Sequence, residues 1–243
     1  MHYFEKTFPL RISECDVNNL WRPDAILVEM QEIAGDHCSS MDAGRDTLLA
    51  HGVVWVLSRL HLQMNRYPAT GETITLRTFH RPVRHRFFPR YFVITDASGE
   101  TIGAASSLWL LMDFETRQSV SADRLPIPLL DNSDAPEPLP LPGAISALET
   151  PATEIAYEPL FTDLDPNGHV NNTKYADFLV NTLGIETMRS HVISDLTIHY
   201  NHELLPSHPL TLALRRDGDK AQLTGLRDGT AAFDIGAFLS ELP

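Results

Sequence analysis

At 243 residues with 43% apolar side chains, the chain has enough material for one or two domains with a real core. Its formal net charge of −13 excludes nucleic acid as a general partner and adhesion to an anionic membrane surface. The opening MHYFEKTFPLRISE has no cationic stretch leading into an apolar one, and no apolar run approaches the ~18 residues of a membrane span, so a soluble, cytoplasmic protein is expected.

In chain order, Tyr3, Phe4, Phe8, Leu10 and Ile12 alternate as in a strand, and Pro23 then opens a helix over 23–40 with Ile26, Leu27, Met30, Ile33, Ala34 and His37 at helical spacing. A shorter helical piece runs from Arg45 to Ala50. From Val53 the period changes to two, predicting strands at Val54–Met64 and Thr73–Arg81, then a hairpin of Phe87–Thr95 and Thr101–Asp113. Prolines 126, 128, 136, 138, 140 and 142 interrupt the pattern, and an extended linker is expected there. Beyond it, Glu154–Phe161 reads as a strand, a helix falls near 171–184, and strands fall near 194–203, 209–216, 220–227 and 230–239. Cys15 and Cys38 form no C-x-x-C pair, which suits buried thiols in a reducing compartment.

The two halves repeat one another. Asp16-Val17-Asn18-Asn19-Leu20 lines up with Asp165-Pro166-Asn167-Gly168-His169, each after a strand and before a helix. Leu60–Asn65 lies opposite Ile198–Glu203, which sets Asn65 where Glu203 stands, and the Gly99 and Gly229 turns complete the match. A duplicated unit of strand, helix and antiparallel sheet follows, with the chemistry kept in one copy.

That copy reads DLDPNGHVNNTKYADFLVN from Asp163 to Asn181. Asp, Asn, Pro and Gly form turns, and Asn171, Asn172 and Thr173 offer oxygens to the free N–H groups of a starting helix. A carboxylate, an amide and an imidazole therefore sit beside a helix N-terminus, where backbone donors favour a developing negative charge. Such a set can orient a base, hold a carbonyl oxygen and activate water.

A long helix wrapped by an antiparallel sheet, twice in one chain, is an α+β double hot-dog. The sequence resembles the acyl-acyl carrier protein thioesterases, a family of plant plastid enzymes and bacterial relatives. The matching residues are D165-P-N-G-H169-V-N-N-T-K-Y175, W55-V-L-S-R59, M64-N-R-Y-P68 with the Gly71 turn, S107-L-W-L-L-M-D and T116-R. The resemblance implies an N-terminal, non-catalytic repeat over 1–130 that binds acyl chain or carrier, a proline-rich linker over 131–152, and a catalytic repeat over 153–243.

It also implies a catalytic group of Asp165, Asn167, His169 and Glu203. Leu204 follows Glu203 where the plant enzymes have a cysteine, which leaves no cysteine nucleophile there. Two routes stay open at this point: water activated by His169 and Glu203, or attack by Asp165 to give a transient anhydride. The implied substrate is a fatty acyl chain on the phosphopantetheine of acyl carrier protein. No cofactor, nucleic acid or membrane is expected to take part, and a monomer or a homodimer is expected.

His80–Arg90 reads H-R-P-V-R-H-R-F-F-P-R, with four arginines and no acid. Arg84 and Arg86 are the candidates for binding the carrier or its phosphate, against a solvated strand face. Met30, Ile33 and Met41 could line an acyl tunnel, although apolar stripes of this spacing normally pack in a core. His199, His202 and His208 lack metal-ligand spacing, and neither G-x-S-x-G nor a glycine-rich phosphate loop is present. The alternatives carried forward are an acyl-coenzyme A thioesterase of the same fold and a non-catalytic acyl-binding protein.

Overall fold

The period-two runs become ten antiparallel strands in the computed structural model, which describes residues 2–127, 130 and 132–242. The strands are β1 (Phe4–Pro9), β2 (Val53–Met64), β3 (Thr73–His80), β4 (Phe87–Thr95), β5 (Thr101–Asp113), β6 (Thr153–Tyr157), β7 (His191–Tyr200), β8 (Leu210–Asp217), β9 (Lys220–Arg227) and β10 (Thr230–Glu241). They form one continuous sheet in the order β1-β3-β4-β5-β2-β7-β10-β9-β8-β6. Read from either edge, the order is the same once β6–β10 are matched to β1–β5 in spatial position. The halves meet where β2 pairs β7, from Arg59 opposite His199 to Gln63 opposite Asp195.

The helices lie on one face of this sheet. Helix α1 (Pro23–Ser40) begins with its proline at the first helical position, where the missing N–H costs nothing, and buries Ile26, Met30, Ile33 and His37. A short α2 (Arg45–Ala50) follows. Helix α3 (Lys174–Leu183) is shorter than α1, because Gly184 takes φ +84° and ends it before the single turn of α4 (Ile185–Met188). Alternation puts Leu60, Leu62, Leu196 and Ile198 on the same face as the helices, where they join Ile26, Ile33, Tyr175, Phe178 and Phe233 in one core spanning both halves.

The proline-rich stretch carries no regular structure from Leu130 to Ala152 among the described residues; Pro128 and Asp131 lie outside them. It crosses the helix-free face of the sheet strand by strand. Ala135 and Leu141 pack on Phe79 and Tyr91 of β3 and β4. The Pro140 carbonyl accepts from Ser106 of β5 at 2.7 Å and faces His61 of β2 at 3.3 Å. Further along, the Gly143 carbonyl meets His199 of β7 at 2.8 Å, and Leu148 N–H donates to Gln222 of β9 at 2.9 Å. Strands lie roughly 4.8 Å apart, so only an extended chain could reach one after another at this pace, and proline enforces that extension.

Candidate active site

The turn Asp165–His169 is closed by Asp165 N–H to the His169 carbonyl at 2.8 Å and by Gly168 N–H to the Asp165 carbonyl at 2.9 Å. Gly168 takes φ +79°, a left-handed conformation that glycine adopts without strain. The Asp165 carboxylate accepts the Asn167 N–H at 2.8 Å on one oxygen and the Asn167 side-chain amide at 3.3 Å on the other. Val170 is buried and Asn171 N–H returns to the Asp163 carbonyl, which fixes the chain's entry into α3.

The N-terminal turn repeats the backbone bonds of this pattern and the bond from the third amide to the carboxylate. Asp16 N–H reaches the Leu20 carbonyl at 2.9 Å, Asn18 N–H reaches the Asp16 carboxylate at 2.8 Å, and Arg22 N–H reaches the Glu14 carbonyl at 2.9 Å. Leu20 therefore stands in the place of His169. The match further along differs from the sequence expectation by two residues. Asn65 and Arg66 both donate to the Ile102 carbonyl, as Asn201 and His202 both donate to the Ala232 carbonyl. Trp21 N–H then meets the Pro68 carbonyl as Val170 N–H meets that of Leu204. So Tyr67, not Asn65, is the counterpart of Glu203; an alternating pattern slipped by two keeps the same faces, which is why sequence could not tell the registers apart.

The bond from Val170 N–H to Leu204, at 2.8 Å, brings the segment after β7 against the turn. As a result His169 Nε2 lies 3.5 Å from Glu203 Oε2, with the two side chains 28% and 41% exposed. Two further groups reach in from the other half of the chain. Arg117, in the turn after β5, donates to the same Glu203 oxygen, and Arg45, at the start of α2, donates to Asn167 Oδ1 at 3.2 Å. Arg227 donates to the Glu203 backbone carbonyl at 3.2 Å. The sequence reading brought Asp165, Asn167, His169 and Glu203 together but missed Arg45 and Arg117. Arg117 had a signal in the T116-R match, whereas Arg45 had none.

A small apolar cleft of about 20 Å³ opens between the halves at Thr173, lined by Leu27, Met30, Leu60, Phe92 and Trp109 among others. Asn172 and Tyr200 also line it, and the Tyr200 hydroxyl donates to the Asn172 carbonyl at 3.1 Å. No acceptor among the described residues takes the Asn172 N–H. Burial raises the Tyr175 hydroxyl well above its ordinary range, with the nearby Glu203 carboxylate adding to the effect. Of the expected tunnel residues, Met30 lines the cleft, Ile33 packs in the core and Met41 caps the end of α1.

The basic run is mostly committed elsewhere. Arg84 pairs with Glu137 of the proline-rich segment, and so does Arg81 at 2.8 Å. Arg90 is buried against His37 at 3.1 Å, Thr78 at 3.1 Å and Cys38 at 3.2 Å. Arg86 lies over the Phe87 ring and has no carboxylate partner among the described residues. Cys15 and Cys38 are free thiols, and both belong to the N-terminal half. His199 and His208 bond to the Gly143 and Pro206 carbonyls, and no group of three or more potential metal ligands occurs among the described residues.

One helix-on-sheet unit per half, joined edge to edge through β2 and β7 with the polar turn at the junction, defines a double hot-dog protein. Residues 1–124 match the acyl-ACP thioesterase N-terminal domain, and residues 147–226 match the corresponding C-terminal domain. The chain belongs to the acyl-ACP thioesterase family. It is 28% identical over 224 residues to the chloroplastic oleoyl-acyl carrier protein thioesterase of Coriandrum sativum, covering 82% of this chain and 59% of that one. The chain thus spans about three fifths of the length of the curated relatives it matches. In fold it is similar to an acyl-ACP thioesterase from Bacteroides thetaiotaomicron, with a TM-score of 0.88, 22% identity and 98% of each chain covered. It is also similar to the 12:0-ACP thioesterase from Umbellularia californica, with a TM-score of 0.81, 22% identity and 100% and 99% of the two chains covered. Among the described residues no helix is long and apolar enough to cross a membrane.

Proposed function

We propose that the protein hydrolyses fatty acyl-acyl carrier protein to free fatty acid and carrier protein, terminating fatty acid synthesis in the cytoplasm. The observation that carries this reading is the His169–Glu203 pair, 3.5 Å apart and each three residues along the chain from a residue of the apolar cleft, Asn172 and Tyr200, in a member of this family. Asp165, Asn167, His169 and Glu203 form the catalytic group of the repeat at 153–243. The repeat at 1–130 is the non-catalytic copy, and 131–152 links the two.

In the proposed reaction His169 takes a proton from water, and Glu203 steadies the imidazolium that results. The water oxygen bonds to the thioester carbonyl carbon, and the carbonyl electron pair moves onto its oxygen. The Asn172 N–H at the start of α3 and the Asn167 amide are the donors for that oxyanion. Collapse breaks the C–S bond, and His169 returns its proton to the leaving pantetheine sulfur. Direct attack by Asp165 is less well supported, because Asn167 engages both of its oxygens. No cofactor enters any step.

Arg84 and Arg86 are the proposed carrier contacts, with Arg86 the more available since Arg84 is paired with Glu137. The test is a steady-state comparison of lauroyl- or palmitoyl-carrier protein with the matching coenzyme A ester, for wild type and for R84E/R86E. Preference for the carrier ester, lowered by the charge reversal through KM, is the expected result. Equal cleavage of both esters would overturn the carrier assignment, and no cleavage of either would overturn the thioesterase.

A further inference from the structure

We propose that the N-terminal repeat completes the site through Arg117, the positioning residue that holds the Glu203 carboxylate against His169, with Arg45 holding Asn167 in the same way. This rests on the thioesterase reading above. Glu203 lies beyond the end of β7, on a segment without regular structure, and its side chain is 41% exposed. A carboxylate so placed has no reason of its own to stay beside an imidazole. Arg117 and His169 meet the same oxygen, Oε2, so the guanidinium fixes the oxygen that faces the histidine.

Arg117 is itself held firmly. The Asp113 carboxylate accepts the N–H groups of Glu115 at 3.2 Å and Thr116 at 2.9 Å, and Arg117 N–H returns to the Asp113 carbonyl at 3.0 Å. Its φ of +57° would suit glycine or asparagine better. An arginine at this position is therefore explained by its side chain and not by its backbone. Arg45 does for Asn167 what sequence cannot foresee: a guanidinium only donates, so the amide must turn its oxygen toward Arg45 and its NH₂ toward Asp165.

The N-terminal copy shows the same principle with uncharged groups. Across the junction, Tyr67 donates to the Ile193 carbonyl at 2.7 Å and Asn18 to that of Met188 at 2.8 Å. Each turn is braced by the opposite half, and among the described residues only the C-terminal one is braced by guanidinium groups on its acid and amide. Arg117 is not a phosphate site, since the phosphate of the pantetheine arm lies the whole arm away from the thioester carbonyl carbon attacked beside Glu203.

The test uses the full chain with the acyl-carrier ester and the variants R117A, R117K, R45Q, E203Q and E203Q/R117A. R117A should lower kcat about ten- to hundredfold, as for one lost charge-assisted hydrogen bond, with KM and Tm nearly unchanged. R117K should restore part of the loss, added guanidinium should rescue R117A but not E203Q, and the double variant should be no slower than E203Q. R45Q should lower kcat by a smaller factor. Wild-type kcat in R117A, or losses that multiply in the double variant, would overturn the positioning role while leaving the thioesterase intact. Full activity in E203Q would sink the reading of the site itself, and the positioning role with it.

Discussion

Asp16–Leu20 and Asp165–His169 are the same turn twice, down to the bonds from the first amide to the fifth carbonyl and from the third amide to the carboxylate. One has Leu20 and Tyr67 where the other has His169 and Glu203. The comparison separates two jobs that the D-x-N-x-H motif runs together. The Asp and Asn build the turn in both copies, whether or not any chemistry follows, and the His and Glu are what the second copy adds.

The largest effect should come from the added pair. His169→Ala or Glu203→Gln should reduce kcat about 10²- to 10⁴-fold, the usual range for a lost general base, while the denaturation midpoint stays put. A kinetically silent His169→Ala would show that the difference between the copies is ornamental.

The shared residues should behave differently in the two places. Asp16→Ala removes the acceptor for the Asn18 and Leu20 N–H groups, at 2.8 and 3.0 Å, and should cost about 1–2 kcal/mol of stability with kcat preserved. Asp165→Ala should lose similar stability and most of the turnover besides. Urea unfolding and kcat measured on both variants check this, and equal kinetic loss in both would undo the division of labour.

Acid should expose a second contrast, between the histidines around Arg90 on the one hand and His61 under the proline-rich stretch on the other. Burial first, then the Arg90 guanidinium, hold His37 at about 3 and His80 at about 4. Both are neutral in the fold and take up protons near 6.5 when unfolded, so stability falls from about pH 6.5 downward by about 1.4 kcal/mol per pH unit for each histidine. Burial pushes His61 down too, but the Asp195 carboxylate at 3.0 Å outweighs it and raises the group. Its contribution is present below pH 6.5 and is lost as pH rises through the higher folded value. Unfolding free energy against pH should thus slope steeply on the acid side, and His37→Phe should flatten that limb if the variant folds. His61→Gln gives a second reading, since it should change stability below pH 6.5 more than above its folded value.

The smallest effect is expected for Leu20→His. It places an imidazole in the N-terminal turn, where Tyr67 offers no carboxylate, so turnover and Tm should match wild type. A gain of activity in His169→Ala/Leu20→His would show that the turn alone suffices.

Much of the architecture was legible locally. Helix α1 was readable from Pro23 and the spacing of Ile26, Met30 and Ile33, and strands such as β4 and β5 from alternation between turn residues. The doubled turn was legible too, because its bonds join residues within five positions of one another. Tertiary structure alone decided that Tyr67 and not Asn65 answers Glu203, that the proline-rich stretch crosses β5, β2, β7 and β9 in turn, and that Arg45 and Arg117 cross the junction to Asn167 and Glu203. The reason is the range of the interactions. Period and turn chemistry act over a few residues, whereas these contacts join positions far apart in the chain, and the pairing of β2 with β7 is what brings them together.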